Sequence, residues 1–281
     1  MKTPKDTIYL STKDYFKTQE AFDLVLDPSR DLLITSPQPA QENLASYYQS
    51  QEYISHSNTQ KGGVPFLYTL VQKWSLKSKR NLVNKLSKGR GTLLDIGAGS
   101  GAFCEVAKQN SWEVYGVEPN EKARKIAAQK NISLQKSIAD FKGQQFDVVT
   151  LWHVLEHLPD LENTIIAIQE LVRPNGILIV AVPNYNSFDA NHYKGFWAAY
   201  DTPRHLWHFS QKAMRKLFSK NTKLLKTQPM LFDSFYVSLL SEKYKSGNSF
   251  SFKALWIGLW SNISALKTKE YSSLIYCYKK A

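Results

Sequence analysis

The sequence predicts an α/β protein built on a doubly wound, mostly parallel sheet of seven strands. Three observations lead there. Between residues 91 and 184, short apolar runs alternate with stretches of helical periodicity. The first of these runs ends in a glycine loop, Gly97-Ala98-Gly99-Ser100-Gly101. Apolar residues make up 43% of the 281, enough to bury a sizeable core. Strands that alternate with helices imply a parallel sheet covered on both faces.

Each element follows from local pattern. Residues 1–90 are polar, rich in tyrosine and broken by Pro28, Pro37, Pro39 and Gly62-Gly63. They are expected to form a mainly helical N-terminal cap or lid, with helices at 41–49 and 65–86; Tyr47, Tyr48 and Tyr53 belong to that lid or to a surface packing stretch. The core is expected over 91–281. Its strands are predicted at 92–96, 114–117, 132–134, 146–151 and 176–182. Helices follow at 102–109 and 120–130, and a third is marked by Leu161, Ile165, Ile168 and Val172, with Asp160 placed to cap it. Runs at 223–227 and 273–278 supply strands six and seven. Ser210 is the expected cap of a helix over 211–218. Insertions on the acceptor side are expected at about 185–210 and 231–268.

Composition excludes several classes. The two cysteines, Cys104 and Cys277, have no metal-like spacing, which rules out a disulfide framework and a thiolate zinc site. No apolar run approaches the roughly 20 residues of a membrane span. Met1–Tyr9 has no apolar signal segment, so a cytoplasmic location is expected. The net charge of +12 is concentrated at one end. Residues 212–281 hold 13 Lys+Arg against 3 Asp+Glu, and 73–90 hold seven Lys/Arg and no acid. Such faces attract nucleic acid or anionic lipid, or are simply solvated.

The glycine loop sits where ligands of such sheets bind, beyond the carboxyl ends of the strands. Alone it also fits a dinucleotide fingerprint. Asp95, just before the glycines, would repel a pyrophosphate and suits an ammonium or sulfonium group. Glu118 ends the second strand, where an acid accepts from both hydroxyls of a ribose.

Leu93-Leu94-Asp95-Ile96-Gly97-Ala98-Gly99-Ser100-Gly101 resembles the first motif of the class I S-adenosylmethionine-dependent methyltransferases. Val117-Glu118-Pro119-Asn120 is similar to that family's ribose-binding segment. Phe146 to Leu158 looks like its fourth strand and following loop, and Arg173-Pro174-Asn175-Gly176 like its turn into strand five. The resemblance implies a Rossmann-like methyltransferase fold with an antiparallel last strand. It implies S-adenosyl-L-methionine as cofactor and S-adenosyl-L-homocysteine as product. Asp95 with Gly97, Ala98, Gly99 and Gly101 would hold the methionine part, and Glu118 with Pro119 the ribose. Ser137 and Ile138 would flank adenine, although position 137 lacks the acid common there. Trp152 and His153 would face the transferring methyl.

Methyl transfer to a hydroxyl also requires removal of a proton. His153, Glu156 and His157 share a helical spacing. They are similar to the acidic-x-x-Glu-His element of ubiquinone-biosynthesis O-methyltransferases, where a divalent metal is implicated. His153 replaces the acid, so no metal is assigned here; a structural turn or a His153 base is the reading. In the stretch after strand five, Arg204 could clamp an anionic acceptor and His205 could take a proton. Alternatively, Arg204 pairs with Asp201 in a structural knot. The expected function is methyl transfer to a small-molecule acceptor, oxygen-directed. An RNA methyltransferase and a binding protein without turnover are the alternatives. Nucleic acid is not the expected partner: Leu151-Trp152-His153-Val154 replaces the Asp/Asn-Pro-Pro-aromatic segment of exocyclic-amine enzymes, and neither Cys follows a Pro. Phe250 to Trp260 carries a broad apolar band that would pack on the protein or touch a membrane surface.

Overall fold

A computed structural model of the chain describes residues 7–48, 63–87, 90–248 and 250–281. Its strands are β1 (Thr7–Lys13), β2 (Ala21–Asp27), β3 (Leu32–Ser36), β4 (Thr92–Ile96), β5 (Glu113–Val117), β6 (Phe146–Trp152), β7 (Val172–Pro183), β8 (Trp207–Phe209), β9 (Thr222–Pro229) and β10 (Ser273–Lys280). Its α-helices are α1 (Gln41–Tyr48), α2 (Gly63–Ser87), α3 (Ala102–Lys108), α4 (Glu121–Gln129), α5 (Leu161–Glu170), α6 (Phe188–Tyr193), α7 (Gln211–Leu217), α8 (Asp233–Ser246) and α9 (Phe252–Thr268).

The central sheet runs β5-β4-β6-β7-β10-β9. β4 pairs in parallel with β5 and β6, and β6 in parallel with β7. β10 is antiparallel to both β7 and β9, so the last strand alone reverses direction. Alternation with period two divides the core between the two faces. Leu94, Ile96, Val149, Leu151, Val180 and Tyr276 point to one cluster, shared with Ile165 and Ile168 of α5 and Met214 of α7. Leu93, Val148, Ile179, Ala181 and Cys277 point to the other, shared with Leu82 and Val83 of α2 and Phe103 of α3.

The expected caps form. Asn120 accepts from the Lys122 and Ala123 amides at the start of α4, and Asp160 accepts from Asn163 N at the start of α5. Ser210 Oγ accepts from Ala213 N at 2.9 Å. Each hydroxyl, amide or carboxylate satisfies amide donors that the first turn leaves unpaired.

Two expectations need correction. The third strand, expected at 132–134, is reduced to a single parallel bridge between Val117 and Gln135, so the sheet has six strands. The bridge is held by two backbone hydrogen bonds, Gln135 N to Gly116 O and Glu118 N to Gln135 O, and pairing goes no further. The N-terminal cap is not mainly helical. β1, β2 and β3 form an antiparallel meander, and β8, from far along the chain, adds to β3. Leu10, Leu24, Leu26 and Leu33 then pack against Tyr193, Trp197 and Tyr200 of the segment after β7. Tyr53 lies outside the described residues. No helix among the described residues is long and apolar enough to cross a membrane.

Candidate active site

The glycine loop leaves β4 and turns into α3 beside the end of β5. Gly97 N and Ala98 N both donate to Val117 O, at 2.8 and 2.9 Å, which fixes the turn against the neighbouring strand. Gly97 has φ +74°, and a Cβ there would lie 2.3 Å from Val154 Cγ2. Only glycine satisfies both constraints. Gly99, at φ +55°, has no atom within 4 Å of where its Cβ would stand, so the loop offers bare backbone to open space.

Two carboxylates flank that space. Asp95 is 2% exposed, and its Oδ1 accepts from Thr150 Oγ1 at 2.6 Å. Burial pushes its pKa up to about 6, against the Thr150 hydrogen bond and the charge of Lys79. Glu118 is held by two backbone amides. Its Oε2 accepts from Gly99 N at 2.9 Å and its Oε1 from Asn120 N at 2.8 Å. Glu118 and the glycine loop are thus one hydrogen-bonded unit. Pro119, next to Glu118, is exposed.

Lys79 was not singled out in the sequence, where it is one of seven cations in a basic stretch. It reaches over the Trp152 ring, Nζ 4.5 Å from the centroid, and lies in the field of Asp95 and Asp233. Burial lowers its pKa, with the two carboxylates opposing. Trp152 stacks edge-to-face on Phe103, and its buried Nε1 has no hydrogen-bond partner among the described residues.

The loop after β6 carries the second group of side chains. His153, at φ +56°, stands between two carboxylates: Nε2 is 3.0 Å from Asp233 and Nδ1 is 3.4 Å from Glu156. Burial alone would lower its pKa, but these acids hold it up at about 10. His153 is therefore an imidazolium at neutral pH, with no lone pair for a base.

Glu156 is 1% exposed; among the described residues its carboxylate faces His153 at 3.4 Å and has no well-aligned hydrogen bond. Burial would raise its pKa; the neighbouring His153, His205 and His157 lower it instead. Glu156, His157 and His205 bring one potential ligand atom each within 4.8 Å of one another. Both histidines donate Nδ1–H to backbone carbonyls, His157 to Arg204 O at 3.0 Å and His205 to Ala199 O at 2.8 Å. That fixes the tautomer and leaves each Nε2 as the free nitrogen. Burial, aided by His157, lowers the His205 pKa to about 4, so His205 is neutral. Two imidazole nitrogens and a buried carboxylate gathered in this way are a donor set that a divalent cation accepts.

Arg204 is not free to clamp an acceptor. It is 1% exposed, pairs with Asp14 at 2.8 Å and Asp201 at 2.7 Å, and lies over the Phe16 ring. The knot formed by Arg204 and Asp201 is the arrangement present. Ser137 is exposed, and its hydroxyl accepts from Ala139 N, while Asp140 accepts from Ser137 N in a capping box. Ile138 is half-buried against the main core.

Comparison with known proteins agrees with this architecture. A family described as a methyltransferase domain matches residues 71–221. The ubiquinone biosynthesis O-methyltransferase of Saccharophagus degradans is 34% identical over 104 residues, 34% of this chain and 44% of that protein. That of Aromatoleum aromaticum is 35% identical over 104 residues, with the same coverage. The matched stretch thus spans less than half the length of these curated relatives. Among solved structures, magnesium protoporphyrin IX methyltransferase from Synechocystis PCC 6803, with bound SAH, superposes with TM-score 0.59 at 15% identity, over 86% of this chain and 100% of that one. A Burkholderia thailandensis 1,6-didemethyltoxoflavin-N1-methyltransferase, bound to its substrate and S-adenosylhomocysteine, gives TM-score 0.55 at 15% identity, over 95% and 98%. At such identities these two structures establish the shared fold. The domain match covers more than half of the residues, and the chain belongs to the class I S-adenosylmethionine-dependent methyltransferases.

Proposed function

We propose that the protein transfers the methyl group of S-adenosylmethionine to a hydroxyl of a small-molecule acceptor. The observation that carries this is the pairing of Asp95 and Glu118 across an open glycine loop. Asp95 would meet the ammonium of the methionine end, Glu118 the ribose hydroxyls, and Lys79 the methionine carboxylate. In that reading three charges would meet the charges and hydroxyls of one ligand. Ser137 and Ile138 would flank the adenine, by backbone and apolar contact, since the Ser137 hydroxyl is occupied.

The transfer is an in-line displacement: the acceptor oxygen bonds to the methyl carbon as the carbon–sulfur bond breaks and its electron pair stays on sulfur. The protein's main contribution is orientation, worth roughly 7–11 kcal/mol. The acceptor proton must go to a base. His205 is neutral with one free ring nitrogen, and Glu156 beside it would stabilise the imidazolium formed. The curated relatives are themselves named as O-methyltransferases, which supports oxygen as the acceptor atom. A divalent cation, if held by Glu156, His157 and His205, would lower the pKa of an acceptor hydroxyl. Residues 1–90 serve as the cover of the acceptor side. Tyr48 of α1 supports that role, its hydroxyl meeting His157 Nδ1 at 3.0 Å and Arg204 O at 3.3 Å.

Calorimetry tests the cofactor half. Binding of S-adenosylhomocysteine that weakens in Asp95→Asn and Glu118→Gln supports the reading, and unchanged affinity in both sinks it. Turnover of hydroxylated small molecules tests the acceptor half; salt-dependent binding and methylation of RNA instead would overturn it.

A further inference from the structure

Helix α9 carries its large apolar residues on the outside. Its buried face is made of small or single apolar residues: Ala254, Ile257, Gly258, Ser261 and Ala265. A Cβ on Gly258 would lie 2.9 Å from Phe235 Cα, so α8 and α9 meet backbone to backbone. The outer face presents Phe252, Trp256, Leu259, Trp260, Ile263 and Leu266, spaced at helical intervals. Phe252 is 80% exposed, Trp256 62% and Leu266 65%.

The stripe does not stop at the helix. Asn262 Nδ2 donates to Leu231 O at 2.9 Å, bringing the exposed Leu231-Phe232 turn alongside. Phe232 in turn packs edge-to-face on exposed Trp74 of α2, centroids 5.0 Å apart. The charges bordering this band are predominantly basic. α9 contains Lys253 and Lys267 and no acid, and exposed Lys73 and Lys77 flank Trp74. Lys253 also reaches Glu242 at 3.2 Å. Asp233, which follows Phe232, holds His153, so the band adjoins the loop after β6.

We propose that this face binds the surface of an anionic lipid bilayer. Tryptophan and phenylalanine would sit at the headgroup level with leucine and isoleucine among the upper acyl chains, while the lysines meet lipid phosphates. Apolar bulk with lysines at both ends of the helix and beside Trp74, and no acid on the helix, matches an anionic interface in sign as well as in polarity. With no membrane-spanning helix among the described residues, the attachment is peripheral and reversible. The proposal is independent of which acceptor is methylated.

The experiment is co-sedimentation of the full chain with vesicles of phosphatidylcholine alone or mixed with phosphatidylglycerol. Binding to the mixed vesicles is expected, with a blue shift of tryptophan emission and weakening by salt. Trp256→Ser with Trp260→Ser should reduce it about tenfold or more, and Lys253→Gln with Lys267→Gln several-fold. Unchanged affinity for S-adenosylhomocysteine confirms that the variants are folded. Absence of binding by the unaltered protein, or equal binding by the tryptophan variant, overturns the proposal. So does a dimer that the tryptophan substitutions dissociate while vesicles are ignored; the face would then cover a second copy of the chain.

Discussion

At the scale of single residues, charge state decides role. Asp95 must be ionised to meet a cation, and burial raises its pKa to about 6. Cofactor affinity should therefore fall as pH drops through that value, by about tenfold per unit. Calorimetry across that range checks it. Asp95→Asn removes the charge at every pH, and should cost about 1.5–3 kcal/mol, or roughly 10- to 150-fold in Kd. His153 shows the opposite sign. Its folded pKa is raised from 6.5 to about 10, so the stabilisation it contributes is complete below 6.5 and lost as pH rises through 10. Asp233→Asn should flatten that loss, which thermal melting across the same interval would measure. Loss of His205 should slow methyl transfer while leaving S-adenosylhomocysteine affinity intact; a variant with unaltered turnover would remove it as the base.

At the scale of elements, the distinction is between what holds the site and what performs chemistry. Arg204 joins the β1–β2 turn, through Asp14, to the segment before β8, through Asp201. Removing one member of such a buried ion pair leaves the others uncompensated. Arg204→Ala should lower unfolding free energy by about 3–5 kcal/mol, read by chemical denaturation. Its effect on kcat should follow from lost structure, so a functional clamp predicts the wrong phenotype for it. The glycine loop is similarly sensitive. Gly97→Ala forces a side chain into a left-handed backbone and onto Val154. A loss of about 1–3 kcal/mol is expected from the backbone strain alone, with cofactor affinity falling alongside.

At the scale of the molecule, the central sheet and the glycine loop with its two carboxylates were legible, and the arrangement of the segment after β7 was not. Strand β4, the glycines and Glu118 lie within 27 residues, and their relation follows from local pattern: an apolar run, a turn that only glycine permits, a helix, and a second strand. Of the N-terminal sheet only the β3–β8 pairing, to Trp207–Phe209, lies beyond any window on residues 1–90; β1 to β3 pair locally, and were missed because the stretch reads as polar and broken by Pro28, Pro37 and Pro39. Lys79 was missed for a related reason. A lysine on a basic helix reads as solvated until the fold sets Trp152 beneath it and Asp95 nearby.

The sequence by itself determined the family, the order of strands and helices from β4 to β7 apart from the edge run at 132–134, and the two carboxylates beside the glycine loop, because each rests on spacing within a short stretch. Only the tertiary structure decided which polar groups are available for chemistry. Arg204, His153 and His205 look alike as candidates along the chain. Asp14, Asp233 and the Ala199 carbonyl distinguish them, by consuming the first, charging the second and fixing the tautomer of the third. A side chain's charge and free lone pairs depend on what is packed against it, and folding brings those partners from distant parts of the chain.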